Sequence, residues 1–106
     1  MAQEIALTVA EKLTNLAELY RQGLDSRFLD QQLNKLLKRE ALECQRQIAQ
    51  LAGRLAVFEQ QYHLSAEDFM RRWQAGQTQD SFDLTEWASL TQARQFLQAR
   101  LKLLEA

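Results

Sequence analysis

The stretch from Ser26 to Tyr62 carries no strong helix stop signal before His63. Through its second half, Leu37, Ala41, Cys44, Ile48, Leu51, Leu55, Phe58 and Tyr62 alternate strictly at spacings of four and three. That repeat is the seam of a helix packed lengthwise on another helix, in the manner of a coiled coil. A helix over this stretch would be ~55 Å long at 1.5 Å per residue, about twice the diameter of a compact domain of this size. The chain contains no proline and only 3 glycines, which removes most of the punctuation that strands and tight turns need. The expected class is all-α: an elongated helical hairpin or coiled-coil-like bundle with an N-terminal helical arm.

On this reading residues 1–106 form a single domain by length. Residues 1–24 are the arm, 25–63 the long helix, 64–83 an elbow with a short helix, and 84–106 a C-terminal antiparallel helix. In the arm, an amphipathic helix over residues 2–22 carries Ala6, Val9, Leu13, Leu16 and Tyr20 on one stripe, broadened by Ile5 and Leu19. Gly23, followed by Asp25 and Ser26, reads as a helix stop with a new cap behind it. The last helix, from about Leu84 to Leu104, places Trp87, Leu90, Arg94, Leu97, Leu101 and Leu104 at the spacing of the long seam, so the two can lie seam to seam. Phe28, Leu29, Leu33 and Leu36, with the arm's Leu13, Leu16 and Tyr20, then lack an obvious cover and form a candidate interface.

The elbow, from Phe58 to Trp87, holds six of the nine aromatic residues. Ser65 with Asp68 forms a capping box that starts a short helix at about Ala66, and Gly76 ends it. Asp83 with Glu86 gives a second capping signal, for the last helix. Phe58, Tyr62, Phe69, Trp73, Phe82 and Trp87 can then meet as one apolar knot.

Charge argues against several functions. The formal net charge of −1 leaves no nucleic-acid footprint at the level of the whole chain. The cations Lys35, Lys38, Arg39 and Arg46 are interrupted by Glu40 and Glu43 and carry no interleaved aromatic, the pattern of a solvated helix face. In the elbow, Glu59, Glu67, Asp68, Asp80, Asp83 and Glu86 outnumber Arg71 and Arg72; they read as acids at helix N-termini, with an acidic surface for a basic partner as the alternative. With one cysteine, no signal peptide and no apolar run near the ~20 residues of a membrane span, the expected compartment is the cytoplasm.

Reaction chemistry is absent from the pattern. His63 and Cys44, the only histidine and thiol, cannot supply the three or four converging ligands of a zinc site. Cys44 falls on the seam as a small hydrophobe, and His63 sits where a helix C-terminus favours positive charge. No phosphate-binding glycine loop, HExxH or GxSxG motif occurs, so no cofactor, metal or catalytic residue is assigned. These readings converge on a non-enzymatic protein that acts by contact with other proteins, either a foreign partner or further copies of itself.

The elbow also resembles a signature of small, largely helical bacterial and archaeal proteins: F-E-x-x-Y, a short loop, S-x-E-x-F, an acidic segment, and E-W opening the final helix. Phe58, Glu59, Tyr62, Ser65, Glu67, Phe69, Asp83, Glu86 and Trp87 match it residue by residue. His63 stands where that group commonly has glycine, and the segment after Gly76 is glutamine-rich with one acid, Asp80. The group is similar to the antitoxin halves of toxin–antitoxin pairs, encoded beside a small toxin of the TumE type. The resemblance implies that the chain binds and neutralises a toxin protein.

Overall fold

A computed structural model of the protein describes residues 6–106, and among them it contains four helices and no strand: α1 (Val9–Arg21), α2 (Arg27–Tyr62), α3 (Ala66–Gln74) and α4 (Phe82–Glu105). The protein is all-α, as the periodicity requires. The 36 residues of α2 make a helix about 54 Å long. Among the described residues, contacts gather into two units on either side of a boundary between Leu33 and Asn34, inside α2.

In the first unit, α1 begins later than its apolar stripe suggests. Thr8 is extended and its hydroxyl accepts the Glu11 amide at 3.1 Å, so the helix opens at Val9 and Ala6 lies outside it. The expected start at residue 2 falls outside the described residues. The correction has a local cause, because Thr8 and Glu11 have the spacing of a capping box and a satisfied N-cap sets the first turn. The expected break at Gly23 is present. Gly23 takes φ 103°, the Leu24 amide donates to the Leu19 carbonyl at 2.9 Å, and the Gly23 amide donates to that of Tyr20 at 3.1 Å. This is the Schellman closure, which satisfies carbonyls that the helix end would leave unpaired. Ser26 then caps α2, accepting the Leu29 amide at 3.3 Å.

The second unit is a helical hairpin closed by α3. Gln45 donates to Glu105 at 2.7 Å, and Arg54 donates to Glu86 at 3.1 Å, so α4 runs antiparallel to α2. Along the α2 seam Ala41, Cys44 and Leu55 are buried and Ile48, Leu51 and Phe58 half-buried, while Leu37 and Tyr62 at its ends are exposed. The α4 seam answers with Trp87, Leu90 and Leu97 buried and Arg94, Leu101 and Leu104 half-buried. Thr91 is buried beside them, its hydroxyl satisfied by the Trp87 carbonyl at 2.9 Å.

Three helix ends decide how the elbow turns. At the end of α2, His63 adopts φ 52° and the Leu64 amide donates to the Glu59 carbonyl at 3.2 Å, another Schellman closure, which carries Leu64 back onto the core. Gly76 at φ 70° closes α3 in the same way, with the Gln77 amide on the Arg72 carbonyl at 2.9 Å. At the start of α4 the expectation from Asp83 and Glu86 is corrected. Ser81 is the N-cap, accepting the Leu84 amide at 3.1 Å, and Asp83 lies inside the first turn. Serine in an extended conformation one residue before the helix satisfies the orphan amide, and Asp83 then acts only on the helix dipole.

Candidate functional site

The elbow is the one place where the second unit concentrates its chemistry-bearing residues, and Trp87 is its centre. The indole is fully buried. Phe69 from α3 lies flat upon it, ring centroids 3.9 Å apart and planes within 4°; Tyr62 and Phe58 from α2 stand at 5.5 and 5.7 Å, also near parallel. Trp73 extends the group, tilted against Phe69 at 5.9 Å. Aromatic contacts of this geometry contribute about 0.5–1.5 kcal/mol each beyond the area they bury. Five of the six residues expected in the knot meet there. Phe82 does not: it is 86% exposed.

The polar residues of the same stretch hold the backbone in place around that stack. The Ser65 hydroxyl accepts the Asp68 amide at 3.1 Å, which makes it the N-cap of α3. The return half of the expected capping box is not formed, because Asp68 pairs with Arg71. Glu59 takes over at this helix start, its carboxylate accepting the Ala66 amide at 3.3 Å from the preceding helix. Glu86 is engaged with Arg54, a half-exposed pair that clips α4 to α2. Sequence reasoning missed Ala66, Met70 and Ala88, which complete the core beside Leu55 and Leu90. For Ala66 and Met70 the signal was their spacing with Phe69, which places all three on one face of α3.

Elsewhere the candidate interface residues divide. In the first unit α1 buries none of its residues, and Leu13 and Phe28 are 53% and 68% exposed. Leu16, Tyr20, Leu29 and Leu33 are half-buried. The Tyr20 hydroxyl donates to Asp30 at 2.9 Å, and partial desolvation together with that carboxylate and Asp25 pushes the phenol above its ordinary range. In the second unit Leu36 is 56% exposed, and Leu37 and Leu42 are exposed with it.

Of the cationic cluster, Arg46 is held by Glu43 in a two-pronged contact at 2.6 and 3.0 Å. Hydrogen bonds from Arg46 and Gln47 hold the Glu43 carboxyl down at about 2. Cys44 is buried, His63 is exposed, and no group of three metal-ligating side chains occurs among the described residues.

Fold and site together define an all-α helical protein with an aromatic elbow and uncovered leucine-bearing helices. No family model matches the chain, and no curated protein or solved structure is found to be similar to it.

Proposed function

We propose that this chain is a non-enzymatic, antitoxin-like protein of the cytoplasm that binds a toxin protein and neutralises it through contact. The observation that carries the contact half is the uncovered apolar surface of the first unit, where α1 buries nothing and Leu13 and Phe28 stand open to solvent. Large apolar side chains gathered on a small helical unit mark a surface that gains about 25 cal/mol per Å² when a partner removes it from water. The toxin half rests on the resemblance of the elbow, in which Phe58, Glu59, Tyr62, Ser65 and Trp87 are all engaged in the stack or its caps.

The test is growth rescue. The product of the reading frame adjacent to this chain's own is expressed alone and then together with it. Arrest by the first and recovery with the second is the expected result, and Leu13→Asp with Phe28→Asp should abolish recovery while the helical content stays intact. No arrest, or recovery indifferent to the double change, refutes the proposal. Self-association is the second reading, favoured by Leu36, Leu37 and Leu42, which remain exposed on α2 although α4 fills its seam. Sedimentation of the isolated protein separates the two: a dimer at micromolar concentration that Leu36→Asp dissolves assigns those leucines to a second copy.

A further inference from the structure

α4 carries a second stripe, on a face apart from its hairpin seam. Phe82, Ser89, Phe96 and Leu103 recur at every seventh residue, and Glu86, Ala93 and Arg100 recur at the same interval beside them. At about 100° per residue the two rows share an arc of roughly 100°, the width of a helix face that packs on another helix. The arc is uncovered: Phe96 and Leu103 are 62% and 82% exposed, Phe82 more so, and of the two rows only Glu86 is half-buried. Arg100 lies over the Phe96 ring, 4.8 Å from its centroid, and has no carboxylate partner among the described residues. Glu86 gives one carboxylate oxygen to Arg54, which leaves the other oxygen able to accept.

From this pattern we infer that the stripe receives the same stripe of a second copy of the chain, antiparallel and centred on Ala93. Charge selects the orientation. From Phe82 to Ala93 the helix carries Asp83 and Glu86 and no base; from Arg94 to Glu105 it carries Arg94, Arg100 and Lys102 against one acid, Glu105. Antiparallel pairing sets each acidic half against a basic half, whereas parallel pairing sets like against like. The register follows from Ala93. Glu86 and Arg100 stand seven residues to either side of it, so a two-fold axis there brings each Glu86 to the partner's Arg100. At the axis two alanines let the helices approach closely. Phe96 then enters between the partner's Ser89 and the partner's Ala93, two small side chains that leave room for a ring, and Phe82 meets the partner's Leu103 at each end. The contact runs along one helix per copy, shorter than most stable interfaces, so the pair should be concentration-dependent at micromolar protein. The inference goes beyond the toxin reading: it concerns α4, where that reading uses Leu13 and Phe28, and the exposed leucines of α2 take no part in it.

The test is disulfide trapping of the whole chain with a mild oxidant. Ala93→Cys should form a covalent dimer, while the unaltered chain, whose one thiol is the buried Cys44, stays monomeric on a denaturing gel. Gln95→Cys, exposed about 160° further round α4, should not cross-link. Phe82→Cys alone should not cross-link either, since the axis places the two copies of that position at opposite ends of the pair; mixed with Leu103→Cys it should. Adding Phe96→Asp to Ala93→Cys should remove the dimer and keep the helical signal and the melting temperature, and adding Arg100→Glu should lower its yield several-fold. An unaltered yield from either change overturns the inference. Cross-linking of Phe82→Cys to itself means a parallel pair and overturns it as well. So does an Ala93→Cys chain that stays monomeric, which leaves the stripe to a partner of another kind, or one that cross-links no better than Gln95→Cys. Leu36→Asp should leave the Ala93→Cys dimer in place; its loss there assigns the contact between copies to α2 instead. Because no toxin is present, growth rescue and cross-linking fail independently.

Discussion

Replacing His63 with glycine should make the protein more stable, although it deletes an entire side chain. His63 is the one described residue other than glycine with positive φ, at 52°, and it occupies the closing position of the same motif that Gly23 and Gly76 complete elsewhere. An L-residue in the left-handed region carries a cost of about 1–2 kcal/mol from its Cβ, at the lower end for histidine, which is enriched there. Glycine removes that cost but returns roughly 0.5–1 kcal/mol through the greater freedom of the unfolded chain. The His63 side chain is exposed, so little packing is lost with it. The net expectation is a gain of about 0.5 kcal/mol, a rise in melting temperature of roughly 2–4 °C for a unit of this size. Urea denaturation followed by circular dichroism measures it, with an unchanged slope showing that the denatured state has not altered. The comparison change is Gly76→Ala. A Cβ built at Gly76 meets nothing within 4 Å, so any loss there, expected at about 1 kcal/mol, is conformational and not steric. If His63→Gly is destabilising while Gly76→Ala is neutral, left-handed strain is not what governs these helix ends.

Trp87→Ala should cost about 3–5 kcal/mol, because it empties the centre of a four-ring stack that cannot collapse around so large a void. Phe82→Ala, only five residues earlier, should change the melting temperature by less than its measurement error; equal losses from the two would contradict the exposure of Phe82. Glu43, held at about 2 by Arg46 and Gln47, is a carboxyl depressed in the folded state. Its contribution is therefore fully present above the ordinary value of 4.5 and is lost as pH falls towards 2. Carboxyl-carbon NMR should find its midpoint well below 4.5, and Arg46→Ala should raise it towards that value; an ordinary midpoint in the unaltered protein refutes the pairing.

The hairpin was legible because helix phase is rigid: once Ala41 to Phe58 and Trp87 to Leu104 share one spacing, the members of each seam face the same way, and only the ends of the α2 seam, Leu37 and Tyr62, run out into solvent. The same phase should have excluded Phe82. Five residues before Trp87, at about 100° each, it points roughly 140° away from the buried indole, whereas Leu84 lies about 60° from it and is half-buried. Helix starts were harder to read, since Thr8 and Ser81 each compete with neighbours that can also cap, and the winner is set by which residue becomes extended. His63 was read for its charge when its backbone was the informative part. Nothing in its side chain announces positive φ, but its place in the chain does, one residue after the seam ends and one before an apolar residue that must return to the core.

The signature residues bear on where recognition can reside. Phe58, Tyr62, Phe69 and Trp87 form the stack, Glu59 and Ser65 satisfy the amides that open α3, and Glu86 is occupied by Arg54. Such residues specify a shape, and any partner must read what the shape leaves unsatisfied. That remainder is apolar surface open to solvent, including Leu13, Phe28, Leu36, Val57, Phe82 and Phe96. On the proposed function, a partner gains affinity chiefly from that apolar area. Changes to these open side chains should therefore weaken a partner directly, while changes to the signature residues act on binding only through the fold they hold together.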